Sequence, residues 1–173
     1  MFLKINFEET RLLYHEYLKC VKKEGGSPNK DLANEARRRL KQLEILMELI
    51  ASMTVKEMNS RHINIPSDEL WMYVECFYYL AFRTRNVIKN LPRLGSFDCS
   101  GIRNVRNQLL EHPEKNNSKM LTESFSWGKA SGPVIKARRK EKEVRIFPDV
   151  GLYENYLEFQ KNLNDLLRKV VVE

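Results

Sequence analysis

The chain has 173 residues, 42% of them apolar and 31% charged. That is enough for one domain with a full core, and it excludes a disordered or low-complexity composition. The longest apolar run, 71–82, is short and broken by Glu75, which argues against a membrane span, and residues 1–5 are too short an apolar stretch for a signal peptide. The net charge of +7 directs attention to polyanions.

In chain order, the periodicity predicts a first helix over about 6–23. Asn6 is placed to cap it, Glu8 and Glu9 favour its first turn, and Phe7, Tyr14, Leu18 and Val21 share a face. Gly25-Gly26-Ser27-Pro28 breaks the chain. A long second helix, 30–60, carries Ala33, Ala36, Leu40, Leu43, Met47, Ile50 and Thr54 at the spacing of a bundle seam. Ser67 caps a third helix, with Leu70, Val74, Phe77, Ala81 and Ile88 on its inner face, ending before Pro92. A fourth helix starts at about residue 98 and runs to His112, where Pro113 stops it.

Residues 113–150 hold no convincing helix. Alternating segments at 134–138 and 144–147 predict a hairpin turning at Arg139-Lys140-Glu141-Lys142, with 121–127 as a third strand. Leu152, Tyr156, Phe159, Leu163, Leu166 and Leu167 then mark a C-terminal helix. The expected fold is mainly α: a single domain over 1–173, an antiparallel up-and-down bundle of about five helices, with a small basic β-hairpin insertion at about 113–150 before the last helix.

Positive charge is concentrated. Residues 129–145 carry seven basic and two acidic side chains, and residues 83–106 carry six basic side chains and Asp98, so the rest of the chain is net acidic. A basic patch is the footprint expected of an RNA-binding face, and Arg103, Lys136, Arg138, Arg139, Lys140 and Lys142 are its candidate contacts. A solvated surface with no partner is the plain alternative. Cys20, Cys76 and Cys99 are odd in number and widely spaced, so they predict reduced thiols in a cytoplasmic protein rather than a disulfide or metal framework. No metal or other cofactor is expected.

The chemistry is concentrated in Arg106-Asn107-Gln108-Leu109-Leu110-Glu111-His112. Arginine presents a charged planar fork suited to phosphate, and histidine exchanges a proton near neutral pH. Together they can cleave a phosphodiester without a metal, with His112 as base, Arg106 on the phosphoryl oxygens and Asn107 positioning the histidine or the phosphate. Arg85-Asn86 and Arg103-Asn104 have no histidine at this distance. The structural alternative stays open: Ile102, Val105, Leu109 and His112 form one stripe, which would make His112 a polar end to an apolar face.

This segment resembles the Arg-x4–6-His signature of the HEPN superfamily, whose members often carry a polar residue straight after the arginine. The resemblance implies an all-helical up-and-down bundle and a metal-independent endoribonuclease of a toxin–antitoxin or antiviral defence system. It also implies a homodimer that faces two motifs across its axis, and RNA and an antitoxin or other protein as partners. A catalytically silent HEPN-like module that binds RNA, nucleotide or protein is the alternative. The tyrosine that some HEPN toxins carry two residues after the histidine is replaced here by Glu114, so that subgroup is not matched. Outside helix four the resemblance rests on helix order alone.

Overall fold

The computed structural model describes residues 5–23, 25, 29–60, 66–107, 120–127, 133–139 and 150–172. Five helices dominate: α1 (Glu8–Lys23), α2 (Lys30–Met58), α3 (Asp68–Ile88), α4 (Ser100–Val105) and α5 (Leu152–Val172). Their starts follow local chemistry. The Glu8 amide donates to Asn6 Oδ1 at 3.0 Å. Asn29 takes the amides of Asp31 and Leu32 at 3.0 and 3.3 Å. Ser67 Oγ takes the Leu70 amide at 3.1 Å. Each cap satisfies amides that the first turn leaves without partners. Ser67 is itself held by the carboxylate of Glu57, which accepts from its amide at 2.9 Å and from its hydroxyl, so the end of α2 fixes the start of α3.

Helices adjacent in sequence run antiparallel, whereas α1 and α5 lie side by side in the same direction, with Phe7 against Tyr156 and Thr10 against Asn164. α2 packs along α3, α1 packs along α5, and α4 bridges α3 and α5. Every seam residue expected on α2 and α3, from Ala33 to Thr54 and from Leu70 to Ile88, is buried. The α1–α5 contact has a polar side. Thr10 Oγ1 donates to Asn164 Oδ1 at 2.8 Å, and Asn164 Nδ2 donates to Glu9 Oε2 at 3.2 Å. Both Thr10 and Asn164 are buried, and pairing them removes the penalty each would carry alone. The connection from α3 to α4 is more than a link. Leu91, Leu94, Phe97 and Cys99 are all buried, and the Phe97 ring meets Phe159 of α5 edge-on at 5.3 Å.

Between α4 and α5 the backbone forms a three-stranded antiparallel sheet of β1 (Met120–Trp127), β2 (Pro133–Arg139) and β3 (Val150–Gly151), in the order β1-β2-β3. The strands expected at 134–138 and 121–127 are present as β2 and β1, and they pair with each other, with Phe125 opposite Ile135 and Met120 opposite Arg139. The register shifts between Leu121 and Ser124, as at a β-bulge. β2 also pairs with β3, which leads directly into α5. The expected turn at 139–142 lies outside the described residues except for Arg139, and the strand at 144–147 lies wholly outside them. No helix among the described residues is long and apolar enough to cross a membrane.

Candidate functional site

α4 presents the motif. Ile102 and Val105, 1% and 0% exposed, dock α4 onto the bundle, while Leu109 and His112 of the same stripe lie outside the described residues. Arg103 points outward, while Arg106 and Asn107 are half-buried at the helix end. There the helix passes into the wider i→i+5 hydrogen-bonding pattern, a local widening often met at functional sites. The expected continuation of this helix to His112 lies outside the described residues, and so does His112 itself.

Arg106 is fixed from two sides. Its guanidinium carbon lies 4.2 Å from the centroid of the Phe82 ring on α3, within cation–π range. Its Nη1 donates to Asn107 Oδ1 at 2.8 Å. Asn107 is thus the immediate orienting partner of Arg106, which gives a reason for a poor helix former at this point.

A second arginine completes the surface. Arg85, one turn beyond Phe82 on α3, donates through Nε to the Phe97 carbonyl at 3.1 Å and through its terminal nitrogens to Ser96 Oγ and Asn86 Oδ1. Arg85 and Arg103 line a polar pocket of about 230 Å³ with Ser96, Asp98, Cys99 and Ser100. Asp98 accepts from the Ser100 amide at 2.9 Å. Its own carbonyl accepts from Asn162 Nδ2 at 2.9 Å, which ties the pocket floor to α5. Burial pushes the Cys99 thiol upward despite the opposing pull of Arg85, so it stays protonated at neutral pH and is a poor nucleophile.

The structure therefore joins Arg106 and Asn107, and sets Arg103 against Arg85 rather than against Arg106's partner ring. Lys136, Arg138 and Arg139 fall on β2, while Lys140 and Lys142 lie outside the described residues. Sequence reasoning missed Phe82, Arg85 and Asn86. Arg85-Asn86 has no histidine at the motif distance, yet its dipeptide matches Arg103-Asn104 and Arg106-Asn107, and that recurrence is the signal in the sequence. Among the described residues no group of three or more His, Cys, Asp or Glu side chains is placed to hold a metal ion. Comparison with family models, curated proteins and solved structures finds no match to this chain.

Proposed function

We propose that the chain is a HEPN-like, metal-independent endoribonuclease, a bacterial toxin or defence effector that acts on RNA. The observation that supports this reading best is the Arg106–Asn107 pair, held by a 2.8 Å hydrogen bond and stacked on Phe82 beside the cationic Arg85–Arg103 pocket. A half-buried, oriented guanidinium is suited to receive charge that builds on phosphoryl oxygens, because it need not reorganise as the charge develops.

In the proposed reaction His112 removes the proton of an RNA 2′-hydroxyl, and the 2′-oxygen bonds to the adjacent phosphorus. The bond from phosphorus to the 5′-oxygen breaks, giving a 2′,3′-cyclic phosphate and a 5′-hydroxyl. Arg106 stabilises the extra negative charge between these events. The leaving 5′-oxygen takes a proton from a second acid, and a second copy of the chain is the proposed source. Arg85 and Arg103 hold flanking phosphates, with Lys136, Arg138, Arg139, Lys140 and Lys142 as further backbone contacts.

The test is cleavage of RNA in EDTA by wild type, Arg106→Ala and His112→Ala. Each substitution is expected to lower the rate by about 10²–10⁴-fold with the melting temperature preserved. Mixing the two variants is expected to restore part of the activity if sites are composite. Wild-type protein inert on RNA in EDTA, or His112→Ala as active as wild type, overturns the mechanism. RNA binding without cleavage would favour the silent RNA-binding module, a reading that the Arg85–Arg103 pocket supports without any need for His112.

A further inference from the structure

A cavity lies away from α4, between α1 and α2. It is an open groove of about 790 Å³. Tyr14, Leu18 and Leu40 form its apolar floor. Arg11, Arg37, Arg38 and Lys41 surround that floor, with His15 beside them. Arg11 and Lys41 share the single carboxylate of Glu44, at 3.3 and 2.7 Å, and Arg38 shares Glu35 with Arg39. Two cations on one carboxylate leave net positive charge at both places, and Arg37 adds an exposed guanidinium.

The face continues beyond the enclosed part. Ile45 and Leu49 follow Arg38, Lys41 and Gln42 at helical spacing, so they fall on the same side of α2, and they are 53% and 37% exposed. Leu12, 60% exposed, flanks the groove on α1 next to His15. From Asn34 to Leu49 this surface is about 22 Å long, four turns of helix at the standard rise. Glu48 is the one acidic side chain at its far end.

We propose that the groove between α1 and α2, extended by Ile45 and Leu49, is the docking site for an acidic amphipathic helix of a protein partner. The basic rim and the exposed Ile45 and Leu49 select this occupant. A small molecule would fill the enclosed volume and leave Ile45 and Leu49 bare. A nucleic acid strand would use the cations, but its bases gain most from exposed aromatic rings, and Tyr14 of the groove is only 3% exposed. An amphipathic helix places apolar side chains at i, i+3, i+4 and i+7 into such a groove while its carboxylates meet the basic rim.

The experiment uses the full chain and three fluorescent probes: a helical peptide of about four turns built from Leu and Glu, its Leu and Lys counterpart, and a single-stranded RNA of equal length. Binding is read by anisotropy for wild type, for Arg37→Glu/Arg38→Glu and for Ile45→Ser/Leu49→Ser. All four positions are exposed, and far-ultraviolet circular dichroism checks that each variant melts like wild type. The acidic peptide is expected to bind wild type and the basic one not to. Each pair of substitutions is expected to weaken the acidic peptide by about tenfold or more. No preference for the acidic peptide, or unchanged affinity in either variant, overturns the proposal. RNA that loses affinity in the Arg37→Glu/Arg38→Glu chain while the acidic peptide fails to bind assigns the groove to nucleic acid instead.

Discussion

Gly101 of α4 lies so close to Asn155 of α5 that a β-carbon added there would sit 2.3 Å from Asn155 Oδ1. Asn155 is 6% exposed and donates through Nδ2 to the buried Tyr78 hydroxyl at 2.9 Å, so its side chain has no ready way to swing aside. One contact thus joins α3, α4 and α5 at the base of the helix that carries Arg106.

Gly101→Ala is therefore expected to destabilise the fold, although alanine is the better helix former by about 1 kcal/mol. Overpacking with loss of the Asn155–Tyr78 bond costs about 1–3 kcal/mol and exceeds that gain. Urea unfolding gives the sign. A variant as stable as wild type would mean that α4 shifts freely against α5.

Phe82→Leu keeps an apolar side chain on α3 but removes the aromatic face beneath Arg106. The cation–π contact contributes about 0.5–1 kcal/mol at a partly exposed site, so the melting temperature should move little. RNA cleavage is expected to fall by about tenfold, less than in Arg106→Ala, because the guanidinium is misplaced rather than absent. Single-turnover rates of Phe82→Leu, Phe82→Tyr and Arg106→Lys decide this. Phe82→Tyr should retain activity, and Arg106→Lys should not, since lysine lacks the fork.

Alkaline pH should unfold the protein through its tyrosines. Burial pushes the phenols of Tyr17 and Tyr156 up to about 12, and those of Tyr14, Tyr78 and Tyr153 also upward. An unfolded phenol ionises near about 10. Since the folded values are the higher ones, the stability they confer is complete below about pH 10 and is lost as pH rises toward 12. Melting temperature should stay flat from neutral pH to about 10 and then fall, with phenolate absorbance rising together with unfolding. Phenolate absorbance from these five residues near pH 10 in the native state would contradict this.

On the proposed function, the basic insertion is expected to supply the salt dependence of RNA binding. Replacing Arg138, Arg139 and Lys140 with serine should flatten the slope of log affinity against log salt by about 2–3 units. Cleavage at saturating RNA should suffer less than in His112→Ala. An unchanged slope would remove the RNA-guiding role from this segment.

Helices were legible because their information is local. The spacing of Ala33, Ala36, Leu40, Leu43 and Met47 declares which side of α2 must leave water, and Asn6 and Ser67 declare where helices begin, whatever surrounds them. The polar link before α4 was less legible. Its apolar residues, Leu91, Leu94 and Phe97, recur every third position, but Pro92 and Gly95 between them deny that spacing a helix, and the fold nevertheless buries all three. The strand at 133–139 was visible in its alternation, but its pairing with β1 was not, because alternation fixes a strand's faces and leaves its neighbours open.

By itself the sequence determined the helical register, the seams, the caps and the Arg106-Asn107 dipeptide, all of them consequences of side-chain order along one chain. Only the tertiary structure decided that Arg106 lies over Phe82, that Arg103 meets Arg85 at a shared pocket, and that α1 and α2 leave a cationic groove between them. Periodicity says which face of a helix seeks a partner. It does not say which face it meets or at what angle, and side chains distant in sequence become neighbours only when packing of the whole bundle settles both.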